Sequence, residues 1–431
     1  MKVRFALILG GLSAFAPLSV DMYLPAFPAM TGQLGATQPE IQLTLTAFVI
    51  SLAVGQAIAG PLSDAYGRKV PLVAGLTLYA ITSVACAFAP SAPVLVLLRF
   101  LEGLGAAAGI VIARAQVRDL FSGIALARFF SSLMLVNGLG PIIAPVIGGQ
   151  ILRLTSWRGV FVVLAVFGTV LLLATLLGLP ETLPADQRRS ARLGGVLRSY
   201  GQLLRDRMFV GYALTSAMIF AAMFGYISGS SFVLQDVYGL SPQEYSLVFG
   251  ANSVGILLLG LSSSLLLRRF QPRPLVATGL VIAVLSGIGM VVAVLAHLGL
   301  YGLLVPLFLL VASTGIVMPN ATALGLADQA RHAGAASALI GVSQFLVGGL
   351  TAPLAGSAGS SALPMVVLMA TNALVAAICY VTLTRPSRHQ PNREDYDHRA
   401  GDQGGDPLPA RAGQDPADQA PPAGEQQLPA R

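Results

Sequence analysis

The chain has 431 residues, of which 55% are hydrophobic and only 10% charged. Soluble domains carry roughly 25% charged residues, so this supply is too small to cover a hydrated surface, and the apolar residues come in long runs suited to a membrane. The net charge of +7 does not point to a nucleic-acid partner, because the basic residues fall between apolar segments, where they report orientation instead.

Twelve apolar segments follow one another at 5–28, 41–62, 70–90, 93–117, 127–152, 158–179, 208–234, 244–267, 274–297, 301–326, 334–357 and 363–384, of a length suited to crossing about 30 Å of hydrocarbon. The first follows Lys2 and Arg4, as in a signal peptide, and Ala14-Phe15-Ala16 has the pattern of a cleavage site. Pro17 directly after it, and apolar character through Phe27, predict a first spanning helix instead. Asp21 lies in that helix, a turn or two below its outer end. Between the second and third segments the chain reads Gly60-Pro61-Leu62-Ser63-Asp64-Ala65-Tyr66-Gly67-Arg68-Lys69, a tight turn carrying an acid and two bases. Asp64 is placed there to cap a helix N-terminus or pair with a base, as a latch that holds in one conformation. The fourth segment carries Arg99 about six residues after its outer start. At about 1.5 Å rise per residue it reaches a depth similar to Asp21, so the two can pair or exchange partners if their helices are neighbours. Glu102 is an i,i+3 partner for Arg99 on the same helix face. Two readings stay open: a static ion pair holding helices 1 and 4 together, or a proton site. In the second, burial and a nearby guanidinium pull a carboxylate's proton affinity in opposite directions, and movement of Arg99 or a ligand switches Asp21 between protonated and ionised forms.

The N-terminus and the even-numbered loops hold most of the basic residues: Lys2, Arg4, Arg68, Lys69, Arg118, Arg128, Arg188, Arg189, Arg192, Arg198, Arg205, Arg207, Arg268, Arg269, Arg273 and Arg331. The odd-numbered loops hold Arg153 and Arg158. This bias predicts a multi-pass protein of the cytoplasmic membrane with both termini in the cytoplasm. The polar, Arg-rich stretch 180–207 separates a first six-helix unit (1–179) from a second (208–384). Gly260-Leu261-Ser262-Ser263 with Arg268-Arg269 echoes the 60–69 turn without its acid, as two parallel halves would. Cys86 and Cys379 lie inside apolar runs and read as packing residues, with no disulfide and no metal site expected. His297, His332, His389 and His398 are scattered and suggest no catalytic site. Residues 385–431, rich in Pro, Gly, Gln, Asp and Ala, read as a disordered cytoplasmic tail. Its repeated Leu-Pro-Ala-Arg (408–411 and 428–431) is either a docking motif or a coincidence of composition.

The turn Gly60–Lys69 resembles the signature loop of the major facilitator superfamily, Gly-x-x-x-Asp-x-x-Gly-Arg-Lys. Arg99-Phe100-Leu101-Glu102-Gly103 is similar to its helix-4 motif, and Gly138, Pro141, Pro145, Gly148 and Gly149 to its helix-5 antiporter motif. Ser19-Val20-Asp21-Met22-Tyr23-Leu24-Pro25, Tyr226-Ile227-Ser228-Gly229-Ser230 with Phe232-Val233, and Ala335-Ala336-Ser337-Ala338 resemble the drug:proton antiporters of the bicyclomycin and chloramphenicol resistance (Bcr/CflA) type. Glu102 departs from the pattern, which usually has Gln there, and leaves the proton stoichiometry open. The resemblance implies an all-α membrane protein of twelve helices in two six-helix bundles that rock about a site near the bilayer midplane. Cavity candidates are then the mid-helix residues Tyr23, Asn137, Tyr226, Phe232, Asn252, Asn320 and Gln344. For each, a hydrogen bond between helices is an equally good reading. As a set they describe an amphipathic pocket without a strong charge lattice, suited to neutral or weakly charged apolar drugs. Pro141 and Pro145 are expected to kink or stiffen the bundle interface.

No nucleotide loop, metal cluster or Ser/His/Asp arrangement is visible, so the chain reads as a secondary transporter, not an enzyme. The function expected is proton-coupled efflux of a small amphipathic drug or antibiotic, of phenicol or bicyclomycin type, by a monomer that needs no cofactor beyond the proton gradient. Asp21, Arg99 and Glu102 are its proton-coupling group. Export of an endogenous metabolite, or symport of a nutrient, is the alternative that the same fold allows.

Overall fold

The computed structural model describes residues 2–121, 123–184, 186, 188, 200–329, 333–356 and 361–385. Arg189, Arg192, Arg198, Arg331, His332, His389 and His398, the tail beyond Arg385 and the side chain of Arg128 lie outside the described residues.

All regular structure among the described residues is helical. A bilayer interior offers backbone groups no water, so a spanning segment must satisfy them within itself. The first span, α1, is broken: Lys2–Ser13, Phe15–Asp21, a 3-10 turn Leu24–Ala26, and Phe27–Leu34. Pro17, Pro25 and Pro28 lack the amide hydrogens that would keep the ladder continuous. The axis bends by 43° between Leu7–Ser13 and Phe15–Leu34. The other spans are α2 (Gln38–Tyr66), α3 (Lys69–Ala87), α4 (Ala92–Leu120), α5 (Gly123–Leu154), α6 (Trp157–Gly178), α7 (Arg207–Phe232, extended by a π-helical turn Val233–Val237), α8 (Pro242–Leu266), α9 (Pro272–Leu295), α10 (Gly299–Leu326), α11 (Ala333–Thr351, with a 3-10 turn Ala352–Gly356) and α12 (Leu363–Leu383). Ten of these are long and apolar enough to cross a membrane as single helices. The bent α1 and the 32-residue α5 complete twelve. Several run longer than the apolar segments that announce them, because polar first and last turns extend past the hydrocarbon.

The packing repeats with a shift of six helices. In the first half α4 lies against α1, α2 and α3, α6 against α1 and α3, and α5 against α1. In the second half α10 lies against α7, α8 and α9, α12 against α7 and α9, and α11 against α7. The halves meet along two seams related by the same shift, α5 with α8 and α11 with α2. The repeat extends to the caps. α2 and α8 both open with a capping box, Thr37 with Glu40 and Ser241 with Glu244, in which each carboxylate accepts from the N-cap amide and hydroxyl. Both boxes follow a left-handed glycine, Gly35 at φ 59° and Gly239 at φ 74°. The face carrying Arg68, Lys69, Arg207, Arg268 and Arg273 is called the basic face below, and the end carrying Gly35 and Gly239 the opposite face.

Candidate functional site

Two features stand out: a buried ionic centre inside the first half, toward the opposite face, and a cavity between the halves, toward the basic face. Arg99 and Glu102 are fully buried on one face of α4, with Nη1 of Arg99 2.7 Å from Oε2 of Glu102. Nη2 of Arg99 donates to the Ser19 carbonyl of α1 at 2.7 Å. Ser83 Oγ donates to Glu102 at 2.7 Å, with Cys86 Sγ 3.8 Å away. The guanidinium also lies over the rings of Phe48 at 4.1 Å and Tyr23 at 4.5 Å. A buried pair needs its remaining donors and acceptors met, and among the described residues Arg99 Nε is the one donor position of this pair left without a partner.

Asp21 stands apart from this pair. It is 4% exposed and, among the described residues, makes no ion pair or hydrogen bond. Helices 1 and 4 are neighbours, as depth matching required, but Arg99 meets α1 at the Ser19 carbonyl and the Tyr23 ring, and its ion pair is Glu102, the i,i+3 partner. Three residues further along α1, the turn Leu24–Ala26 packs against α7 and α8 of the second half. Asn252 Nδ2 donates to Tyr226 Oη at 2.9 Å, and Tyr245 Oη lies 3.3 Å from Ser230 Oγ.

The opposite face is sealed by side chains of one half donating to backbone carbonyls of the other. Gln42 Nε2 reaches Ser228 O (3.2 Å), Thr46 Oγ1 reaches Gly349 O (3.0 Å), and Ser231 Oγ reaches Leu24 O (2.6 Å). Gln235 Nε2 reaches Pro25 O (3.1 Å), Gln243 Nε2 reaches Gly149 O (2.7 Å), and Ser253 Oγ reaches Pro141 O (3.2 Å). The helix-5 motif forms much of this wall. A Cβ on Gly148 would lie 1.8 Å from the Met22 carbonyl of α1, and one on Gly149 would lie 2.6 Å from Ser246 Oγ of α8. Gly138 meets Leu257 of α8 at an ordinary 3.8 Å, and Pro145 is buried.

Toward the basic face, α1, α2, α4 and α5 stand off from α10 and α11 around a cavity of about 620 Å³. Gln56, Arg114, Asn137, Tyr200, Ser337 and Gln344 supply its polar groups, and Leu52, Ile110 and Phe345 part of its apolar wall. Of the seven residues expected to line a cavity, the structure brings only Asn137 and Gln344 to this one. Tyr23 is stacked under Arg99 with its hydroxyl 3.2 Å from Thr44 Oγ1. Phe232 meets Phe27 inside the sealed face. Tyr226 stacks on Phe249, bonded to Asn252. Asn320 bonds Ser263 Oγ at 2.7 Å, joining α10 to α8. The residue that sequence reasoning missed is Arg114. Its signal was available, since it is a third charge inside the apolar segment 93–117, and it shows that the pocket is not free of charge.

The 60–69 turn is tied within the first half. Arg68 Nη1 meets Asp64 at 2.5 Å and Ser63 Oγ at 2.8 Å, and its Nε meets Asp119 of α4 at 2.9 Å. Glu181, beyond α6, accepts from the backbone amides of Arg68 (2.8 Å) and Lys69 (3.1 Å). Lys69 Nζ donates to Leu176 O at 3.1 Å. Partial burial would raise the Glu181 carboxyl, but the backbone amides of Leu183, Arg68, Lys69 and Thr182 outweigh it and hold it below its ordinary value. Gly67 turns the chain at φ 92°, where a Cβ would strike the Glu181 carboxylate at 2.6 Å. A Cβ on Gly60 would make an ordinary contact with Val111 of α4 at 3.8 Å.

Comparison with known proteins places this geometry. Residues 9–353 match the Major Facilitator Superfamily. An uncharacterized MFS-type transporter, YdgK of Bacillus subtilis (strain 168), is 38% identical over 390 residues, covering 89% of this chain and 96% of that protein. A bicyclomycin resistance protein homolog of Haemophilus influenzae is 30% identical over 381 residues, covering 88% of this chain and 96% of its own. Among solved structures, a bacterial homolog of the human lysosomal transporter Spinster, in an inward-facing and occupied conformation, superposes with a TM-score of 0.69. It is 17% identical, covering 90% of this chain and 97% of that one. At that identity the likeness is one of fold.

Proposed function

The chain belongs to the Major Facilitator Superfamily and is a transporter of the cytoplasmic membrane, and we propose that it is a proton-coupled exporter of small amphipathic drugs, working as a monomer. The basic face is the cytoplasmic one, by the excess of Arg and Lys in the loops there. The described state is then open to the cytoplasm and sealed from outside.

The observation that carries the reading is Asp21: a carboxylate buried in α1 and, among the described residues, without a partner, three residues before the turn by which α1 packs against the second half. An ionised carboxylate left uncompensated at that depth is costly, and a proton bound there cancels the charge. When the sealed face opens, Asp21 meets external water, from which a proton is taken while drug leaves. Return to the sealed state delivers that proton to the cytoplasmic side. Glu102 keeps Arg99 occupied, so the Arg99–Glu102 pair crosses the cycle as a neutral unit. The Haemophilus relative, named for bicyclomycin resistance, supports a drug as cargo and export as direction. One proton moving down about 100 mV supplies about 2.3 kcal/mol and one pH unit about 1.4, which together sustain a gradient of a few hundredfold.

The test is Asp21→Asn in energised inside-out vesicles, with bicyclomycin and chloramphenicol as first probes after a resistance panel in a pump-deficient strain. The variant should insert and bind drug but show no drug-dependent proton movement. Normal coupled transport by Asp21→Asn would remove the role given to that carboxylate. Drug accumulation in cells that falls when the gradient is collapsed would mean uptake.

A further inference from the structure

Arg114 lies on α4 fifteen residues after Arg99, about 22 Å further toward the basic face and six residues before the helix ends at Leu120. Its side chain is exposed in the cavity between the halves and, among the described residues, makes no ion pair and no hydrogen bond. Several other arginines are engaged, whereas Arg118, Arg268 and Arg269 show no side-chain partner among the described residues. Arg68 holds two carboxylates, Arg99 holds one, Arg158 stacks on Trp157, and Arg207 and Arg273 donate to carbonyls at the end of the last span. Among the described residues no carboxylate lines the cavity, and Asn137 and Gln344 are turned to Leu133 O and Ser216 Oγ. The chamber therefore offers one unspent cationic fork, set in a wall of apolar and amide groups and in a volume of about 620 Å³ that fits a drug-sized ligand. A charge kept inside a spanning segment without a partner marks a ligand path.

We propose that the cavity selects amphipathic substrates bearing a carboxylate, and that Arg114 is the residue that holds it. The proposal rests on this cavity being the transport cavity. A guanidinium receives a carboxylate through two parallel hydrogen bonds, a fit that an amide or amine of the same shape lacks. The plainer role, an arginine that fixes orientation by reaching for the headgroups, requires the side chain to face lipid, whereas it faces the gap between the halves.

The test is ligand-induced thermal stabilisation of the purified full chain by biphenyl-4-carboxylate, biphenyl-4-carboxamide and biphenyl-4-methylamine, titrated against wild type, Arg114→Gln and Arg114→Lys. Wild type should bind the acid about tenfold tighter than the amide and the amine most weakly. Arg114→Gln should bring acid and amide together with the amide unchanged, and Arg114→Lys should keep only part of the preference, since an ammonium supplies the charge without the fork. An acid no tighter than its amide in wild type would overturn the proposal, as would equal weakening of acid and amide in Arg114→Gln. Binding is read without a proton gradient, so an Asp21→Asn protein that transports normally would sink the antiport reading and leave this result standing.

Discussion

Replacing Ser231 and Gln235 together by alanine should move the protein toward the state open on its opposite face. Ser231 Oγ donates to Leu24 O at 2.6 Å and Gln235 Nε2 to Pro25 O at 3.1 Å. Both acceptors belong to the broken part of α1, where the turn around Pro25 leaves carbonyls outside the regular ladder. Neutral hydrogen bonds contribute about 0.5–1.5 kcal/mol each, so the sealed state loses about 1–3 kcal/mol in the double variant. In the open state the same groups face water and lose little. The ratio of open to sealed molecules should therefore rise about 5- to 150-fold, the range being wide because the two residues also bond each other at 2.7 Å and are not independent. The assay is a distance distribution between spin labels at Leu154 and Leu298, exposed by 88% and 58% on that face in the two halves, in a background without Cys86 and Cys379. A folded double variant whose distribution matched wild type would refute the assignment of these bonds to the seal.

Three further outcomes follow from the packing and the loop. Glu102→Ala should strip the buried Arg99 of its ion-pair partner and destabilise the protein by about 3–5 kcal/mol, read as a lower Tm in detergent; an unchanged Tm would mean that water or another group satisfies the guanidinium. Gly103→Ala would put a methyl 1.9 Å from Ser51 Oγ and 2.5 Å from the Phe48 carbonyl. It should force α2 and α4 apart at a cost of about 1–3 kcal/mol, seen in folded yield and Tm, and normal yield and Tm would contradict the close contact. The Glu181 carboxyl is held below its ordinary 4.5, so its grip on the Arg68 and Lys69 amides contributes above that pH and fades as pH falls through its folded value. Hydrogen exchange at those two amides, corrected for intrinsic rate, should accelerate in acid, and Glu181→Gln should weaken that pH dependence.

The spans were legible because lipid gives a chain few options: long apolar runs must become helices, and the basic residues between them punctuate the runs. The internal repeat was legible only faintly at the ends of α2 and α8. Its clearer trace, the capping boxes Thr37–Glu40 and Ser241–Glu244, lies in polar turns that hydropathy does not read. The ionic centre was half legible. Depth along a helix can be counted from rise per residue, but which neighbour a side chain meets depends on helix rotation and on the bend in α1. Glu102, one turn away on the same helix, needs neither, and it takes Arg99 first. The cavity was the least legible part. Tyr23, Phe232 and Asn320 sit mid-helix like cavity residues but serve packing, because sequence position does not say whether a polar group faces the gap or another helix. Arg114 was passed over because it stands near the end of its segment, where an arginine ordinarily reports topology.

The seal described between the halves takes its acceptors from the main chain at Leu24, Pro25, Pro141, Gly149, Ser228 and Gly349. Point mutation can change those side chains without deleting a single acceptor, so only the donors Gln42, Thr46, Ser231, Gln235, Gln243 and Ser253 are directly exposed to genetic loss. Drift can thus loosen the gate one donor at a time, in steps small enough to tune turnover without opening a leak. The residues of the chamber behind it, with different jobs, remain free to follow a new substrate.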